Sequence, residues 1–297
     1  MSKKSPEINK KRRQHFVPEF YLKLFANENN EIQCLDKIKN ESHIAHAREI
    51  CQKKYLYEIE WENEKAHALQ KYILKGSIED YFYKRECEFA PSLKEIIKRC
   101  TKKENRNSLI CSSQEHRMIC SFIVDLIVRN PHTINNEFFV EEEKMIKDNE
   151  DIQAIDYAMK SIGFGDISTV IRHTQKTGLY GMDGRDETYK HIYNDLFKMN
   201  YTFLLSDYNF ITSDCPVIYE VKNDKLVMAY FPLSPNVAVI IDDNDRSTRN
   251  RCVKISEQLT LNSNGQYLDY DLATLLISKI PFSLDSFPRV NKHDKHN

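Results

Sequence analysis

The sequence predicts an α+β fold: a helical middle with a mostly antiparallel C-terminal sheet that the N-terminal segment joins. Three observations carry this. Apolar residues recur at helical spacing between about residues 64 and 199. The period then switches to two from residue 200 to about 262. Helices and strands are grouped rather than alternating, and no linker rich in Gly, Ser or Pro divides them, so residues 14–297 are expected to form one composite domain.

Composition narrows the functional classes. Lys plus Arg is 43 and Asp plus Glu is 44 in 297 residues, so contact with nucleic acid would need a local patch rather than bulk charge. The hydrophobic set, 41 %, is too large for a disordered chain. Seven glycines are too few for a solenoid or propeller and argue against a Gly-dependent phosphate loop. No C-x-x-C pair occurs among the eight cysteines, which points to buried thiols rather than disulfides or structural zinc. The start of the chain has no apolar signal region. The longest strongly apolar run, residues 118–128, is well short of the roughly 20 residues a membrane span requires. A soluble, cytoplasmic protein without a membrane partner is expected.

Residues 1–13 carry six Lys or Arg against one Glu and read as a basic flexible tail. Next comes Gln14-His15-Phe16-Val17-Pro18, where Pro18 is placed to open a short helix that puts Phe20, Leu24 and Phe25 on one face. Residues 32–36 alternate as a strand; residues 44–50 and 55–57 are ambiguous. Residues 66–100 read as a helix that Gly76 can break and Pro91 can kink, with Ile78, Phe82, Phe89, Leu93 and Ile96 on its apolar face. Ser112-x-x-Glu115 is a capping box, and Asn130-Pro131 stops the helix it opens. Residues 137–147, 151–161, 167–175 and 187–199 read as further helices. Residues 201–206 and 210–213 read as strands around an Asp207-Tyr208-Asn209 turn. Asn223-Asp224 marks a hairpin between residues 217–221 and 226–230. Residues 237–241 add a strand, and residues 271–280 a closing helix before Pro281.

Several groups have chemistry to offer. His15, close to a rigid proline, can be an acid, base or ligand, or a packing residue. Glu79 and Glu86 lie two helical turns apart and share a face; paired carboxylates can hold a metal, sit on a solvated face, or pair with a basic residue in the core. Arg129, in the last turn of its helix, suits the dipole or an ion pair, and its fork can hold phosphate. Asp214, in Thr212-Ser213-Asp214-Cys215-Pro216, can be a ligand or base held at a strand end, or can cap turn N–H groups. Cys215 has no basic neighbour to activate it. Gly178, Gly181 and Gly184 read as a loop that could act as a lid over a small substrate. Residues 94–106 and the N-terminal tail form the best basic footprint for nucleic acid.

The opening block, Gln14-His15-Phe16-Val17-Pro18-x-Phe20-Tyr21-Leu22-x-x-Phe25, resembles the start of the bacterial family known as domain of unknown function 4238. So do Leu35-Asp36-Lys37, Glu86 before Phe89-Ala90-Pro91, Arg129-Asn130-Pro131, the block from Phe210 to Val217, and Phe231-Pro232-Leu233-Ser234-Pro235. The matches run from Gln14 to about residue 280; the basic tail has no counterpart, and Asn130 stands where the family usually has a small polar residue. The resemblance implies that His15, Glu86, Arg129 and Asp214 form one recurring set and hints at a phage-defence or toxin effector. Two functions are therefore expected. In the first, a nuclease-like hydrolase, Asp214 and Glu86 bind a divalent ion (Mg or Mn), His15 is general base and Arg129 steadies a phosphate. In the second, a non-catalytic sensor or binding module, the four form a structural network; a protein partner or homo-oligomer is then the expected company.

Overall fold

The computed structural model describes residues 13–54, 56–57, 77–102, 109–134, 144, 146–163, 165–181, 187–243 and 249–288. The expected tail at 1–12, most of the expected helix at 137–147, the start of the helix at 66–100, Gly184 and the end of the basic 94–106 patch lie outside them. Arg13, counted in the tail, already belongs to a strand.

The N-terminal part comprises β1 (Arg13–His15), α1 (Glu19–Leu22), β2 (Glu31–Asp36), β3 (Glu41–His46) and β4 (Gln52–Lys54). Pro18, at φ −56°, stands immediately before α1, and its carbonyl accepts the N–H of Tyr21 and Leu22. The middle is helical: α2 (Ser77–Thr101), α3 (Ser113–Arg129), α4 (Pro131–Ile134), α5 (Glu150–Ser161), α6 (Ile167–Leu179) and α7 (Glu187–Lys198). The predicted capping box is present: the Ser112 hydroxyl accepts from the Glu115 N–H, and the Glu115 carboxylate accepts from the Ser112 N–H. α2 continues through Pro91 without a break. No helix among the described residues is long and apolar enough to cross a membrane.

The last third holds β5 (Asn200–Leu205), β6 (Thr212–Ser213), β7 (Ile218–Lys222), β8 (Lys225–Ser234), β9 (Val237–Asp242), β10 (Cys252–Lys254), α8 (Glu257–Asp269) and β11 (Leu275–Ser278). Five strands form one sheet in the order β10-β5-β9-β8-β7, antiparallel except for the β10–β5 pair. A second, wholly antiparallel sheet has the order β3-β2-β11-β6, so the N-terminal hairpin is completed by the last strand of the chain. β1 and β4 pair as a small ribbon. The β7–β8 hairpin turns at Asn223 and Asp224, at φ 51° and 59°, the left-handed conformation that short polar side chains tolerate.

Alternation along the strands sorts residues between two cores. Cys34, Ile277, Phe203, Val239 and Phe231 face the larger core, beneath α2, α3 and α7. Leu35, Leu276, Leu204, Ala238 and Tyr230 face the smaller one, which Tyr267 of α8 helps to close. The sheets therefore lie between a helical layer and α8.

Three expectations are corrected. Residues 271–280 do not form a helix. Leu275–Ser278 is a strand between two neighbours and buried on both faces, so its apolar run shows no alternation to distinguish it from a helix. The helix near the C-terminus is α8, which the sequence hides because the face it buries is Thr260, Asn264, Gly265 and Tyr267 rather than an apolar stripe. Gly265 is needed there: a Cβ would stand 2.5 Å from the Pro288 carbonyl oxygen. Finally, β5 and β6 are not two arms of one hairpin; the segment between them carries the chain from one sheet to the other.

Candidate functional site

At the end of α3, Arg129 is a hub that gathers Glu86 and the His15 carbonyl, and the next residue, Asn130, reaches the Asp214 carbonyl. Its side chain is only 2 % exposed, and every edge of its guanidinium has a partner. Nε donates to the Tyr57 hydroxyl at 2.8 Å, Nη1 to Glu86 Oε1 at 2.7 Å, and Nη2 to the His15 carbonyl at 2.6 Å. The Tyr57 hydroxyl donates in turn to the same carbonyl at 2.8 Å. The Phe82 ring lies under the guanidinium, 4.2 Å from its centre, a cation–π contact. Burial alone would lower the Arg129 pKa; Tyr57 and Glu86 reverse this and hold the cation more firmly than in water.

His15 therefore enters the hub through its backbone oxygen. Its imidazole is partly buried, which lowers its pKa against the opposing pull of Glu19 and Glu86, and Nε2 has no hydrogen-bond partner among the described residues. The neighbouring Gln14 side chain is also anchored, accepting from the Tyr57 N–H at 2.7 Å.

Asp214 sits one step away. Asn130, next in the chain after Arg129, donates from Nδ2 to the Asp214 carbonyl at 3.1 Å. The Asp214 carboxylate points into the fold: Oδ1 accepts from the N–H of Thr274 at 2.9 Å and Leu275 at 3.1 Å, and Oδ2 from the Thr274 hydroxyl at 2.5 Å. The local turn is capped by Ser213 instead, whose hydroxyl accepts from the Cys215 N–H at 3.0 Å, while the Asp214 carboxylate ties this turn to the distant start of β11. Cys215 beside it is buried, and burial pushes its thiol up to about 12, far from a nucleophile.

Arg129 and Asn130 thus each grip a backbone carbonyl, one in the Gln-His-Phe-Val-Pro segment and one in the Thr-Ser-Asp-Cys-Pro segment. A second tie binds the same segments, for the Tyr21 hydroxyl meets Thr212 Oγ1 at 2.8 Å and donates to the Pro232 carbonyl at 2.7 Å. Glu86 and Asp214 are not brought together as a ligand pair. Glu86 faces Arg129 and Asp214 faces Thr274, and among the described residues no three His, Cys, Asp or Glu could hold a metal ion.

Sequence reasoning missed the neighbouring pair. Arg85 forks onto Asp125, with Nε to Oδ2 at 2.7 Å and Nη2 to Oδ1 at 3.0 Å, and the Tyr189 hydroxyl donates to Oδ1 at 2.9 Å. Burial raises the Asp125 pKa, and the Arg85 charge counters it. Consecutive residues of α2, Arg85 and Glu86, thereby meet residues one turn apart on α3, Asp125 and Arg129, as two crossed ion pairs. The signal was Asp125 itself: a carboxylate inside the apolar run 118–128 calls for a buried cation. Tyr57, in a stretch with no clear period, left no such signal.

The glycine-bearing stretch is not a lid where it is described. Gly178 lies in α6, and Leu179 and Tyr180 are 3 % and 0 % exposed, with Tyr180 packed edge-on to Phe82 and Tyr57. The basic patch is partly neutralised by ion pairs of Arg99 with Glu115 and Lys98 with Glu95.

Comparison with known proteins yields one match. A family model described as a protein of unknown function, DUF4238, covers residues 13–280. No curated protein and no solved structure matches the chain.

Proposed function

This chain belongs to the DUF4238 family, and from that premise we propose that it is a non-catalytic binding or sensor module in which the motif residues lock the N-terminal segment to the C-terminal sheet. One observation carries the reading: the groups that would do the chemistry are already engaged inside the protein. Each nitrogen of Arg129 has a protein partner and the side chain is only 2 % exposed, so a phosphate does not reach its fork without opening the hub. Both oxygens of Asp214 accept from Thr274 or Leu275, so the carboxylate is committed to tying the end of β6 to the start of β11. The deciding experiment pairs stability with activity. Asp214→Ala and Arg129→Lys should each lower the melting temperature, and the wild type should not cleave DNA or RNA in Mg or Mn. Cleavage that Asp214→Ala abolishes without a change in melting temperature would overturn the reading.

A second reading, a nuclease-like effector of phage defence or toxicity, is favoured by His15 alone. Its buried Nε2 has no hydrogen-bond partner among the described residues, and burial favours the neutral imidazole that a general base requires. In that reading Glu86 and Asp214 leave their protein partners for a divalent ion, and His15→Gln removes cleavage while leaving nucleic-acid binding intact.

A further inference from the structure

Cations on the surface of this protein commonly meet a carboxylate: Lys23 meets Glu19, Lys39 meets Asp36, Arg48 meets Glu49 and Lys254 meets Asp207. The β1–β4 ribbon is different. Arg13 stands opposite Lys54, with Lys53 next to it in the chain. All three are exposed, and none has an ion pair among the described residues.

The register sharpens the contrast. The Phe16 N–H bonds to the Cys51 carbonyl at 3.0 Å, so these two residues continue the ribbon as a hydrogen-bonded pair. Alternation makes Gln14 and Lys53 another such pair. It leaves Arg13 and Lys54 as a non-hydrogen-bonded pair, the kind in which opposed side chains lie closest. Like charges directly opposed cost stability. The fold nevertheless holds them there. Gln14 is buried and accepts from the Tyr57 N–H at 2.7 Å, and the His15 carbonyl is held by Tyr57 and Arg129. Folding thus overcomes the repulsion in advance, and two cations stand ready for one anion. The sequence extends this charge, for Lys10, Lys11 and Arg12 run directly into Arg13. The chain as a whole carries a net charge of −1, so the excess is local.

We propose that the β1–β4 ribbon binds the phosphodiester backbone of nucleic acid, independently of base sequence, with a phosphate seated between Arg13 and Lys54. Two features favour this partner. None of the large exposed apolar side chains lies on the ribbon, whereas a protein interface has an apolar centre and stable membrane attachment needs an apolar group beside the basic one. A close run of cations also matches a backbone that carries one charge at every phosphate. The ribbon supplies a ligand for the binding module proposed above. It is tested by binding, whereas the lock around Arg129 is tested by melting temperature, so either can fail alone.

Fluorescence anisotropy on the full chain tests the proposal, with a short labelled DNA duplex and a short labelled single-stranded RNA as probes. Both should bind with a Kd of about 1–100 μM, the range of non-specific contact, and weaken steeply as salt rises. Arg13→Gln combined with Lys54→Gln should weaken both by about tenfold and flatten the log–log salt slope by about 1, the loss of one phosphate contact. Lys54→Glu separates binding from structure. It sets an opposite charge against Arg13, so the melting temperature should hold or rise while binding falls further. Lys254→Gln, on β10, should leave binding unchanged. A wild type that binds neither probe at about 100 μM in low salt overturns the proposal. Binding that survives Lys54→Glu intact overturns it too, as does a lower melting temperature in both ribbon variants, which would make their loss of binding structural. Two other partners are excluded in the same experiment. Binding to phosphatidylserine vesicles but to neither probe, or displacement of the DNA by polyglutamate as readily as by unlabelled DNA, overturns the assignment to nucleic acid.

Discussion

Arg129 and Asp214 do the same structural work by opposite means. Arg129 is a buried cation that pulls carbonyl, hydroxyl and carboxylate oxygens inward, with its charge balanced by Glu86. Asp214 is a partly exposed carboxylate that gathers N–H and O–H donors at a strand end, with no ion pair among the described residues. The difference lies in what remains when one partner is removed. Without Arg129, Glu86 keeps a charge and the His15 carbonyl loses one of its two donors, the Tyr57 hydroxyl remaining. Without Asp214, only neutral donors are orphaned, and solvent is near enough to reach them. Two ends of one network should therefore fail very differently.

The largest expected effect breaks the charged end. Arg129→Leu should destabilise by about 3–5 kcal/mol in denaturant unfolding, because it strands a charge beside the core. Adding Glu86→Leu should recover part of that loss, and the double-mutant cycle measures the coupling directly. At the neutral end, Asp214→Ala should lower stability by about 1.5–3 kcal/mol, the range for hydrogen bonds to a charged acceptor, with Asp214→Asn intermediate. Smaller again is Tyr57→Phe: it keeps the ring packed on Phe82 and removes one hydroxyl shared by Arg129 and the His15 carbonyl, so a loss of about 1 kcal/mol is expected.

The effect that vanishes at neutral pH is confined to acid and belongs to neither end. His116, stacked on Tyr201 at 3.9 Å and on Phe197, is buried with Arg249 nearby, and burial lowers its pKa from 6.5 to about 4. Above pH 6.5 the imidazole is neutral in both folded and unfolded chains. Between 6.5 and about 4 the unfolded chain takes up a proton that the folded one refuses, so stability declines as pH falls through that window. His116→Phe should flatten that decline in melting temperature, while the contrast between the two ends persists in the variant.

The parts of the fold written in local chemistry were legible. The capping box at Ser112 and Glu115 and the Asn223-Asp224 hairpin depend on short-range geometry and a few residue types. β11 and α8 were not legible, because burial on both faces erases alternation and a polar buried face erases periodicity. The network was legible in part: Arg129 and Glu86 stand out in the sequence, while Tyr57 does not. His15 and Asp214 were weighed for their side chains, whereas Arg129 and Asn130 bind both through backbone oxygens, which every residue possesses. A sequence pattern can mark such positions without saying which atom matters.

The place of β11 has a consequence in time. Leu276 pairs with Leu35, so the β2–β3 hairpin cannot enter its sheet until nearly the whole chain exists. At synthesis rates of about 5–20 residues per second, the hairpin waits on the order of ten seconds or more after emerging from the ribosome. Throughout that interval the β2 side of the hairpin lacks its neighbour, β11. Completion of this sheet is therefore the late, slow step in maturation, and nascent chains stalled before residue 275 should be the most dependent on chaperones.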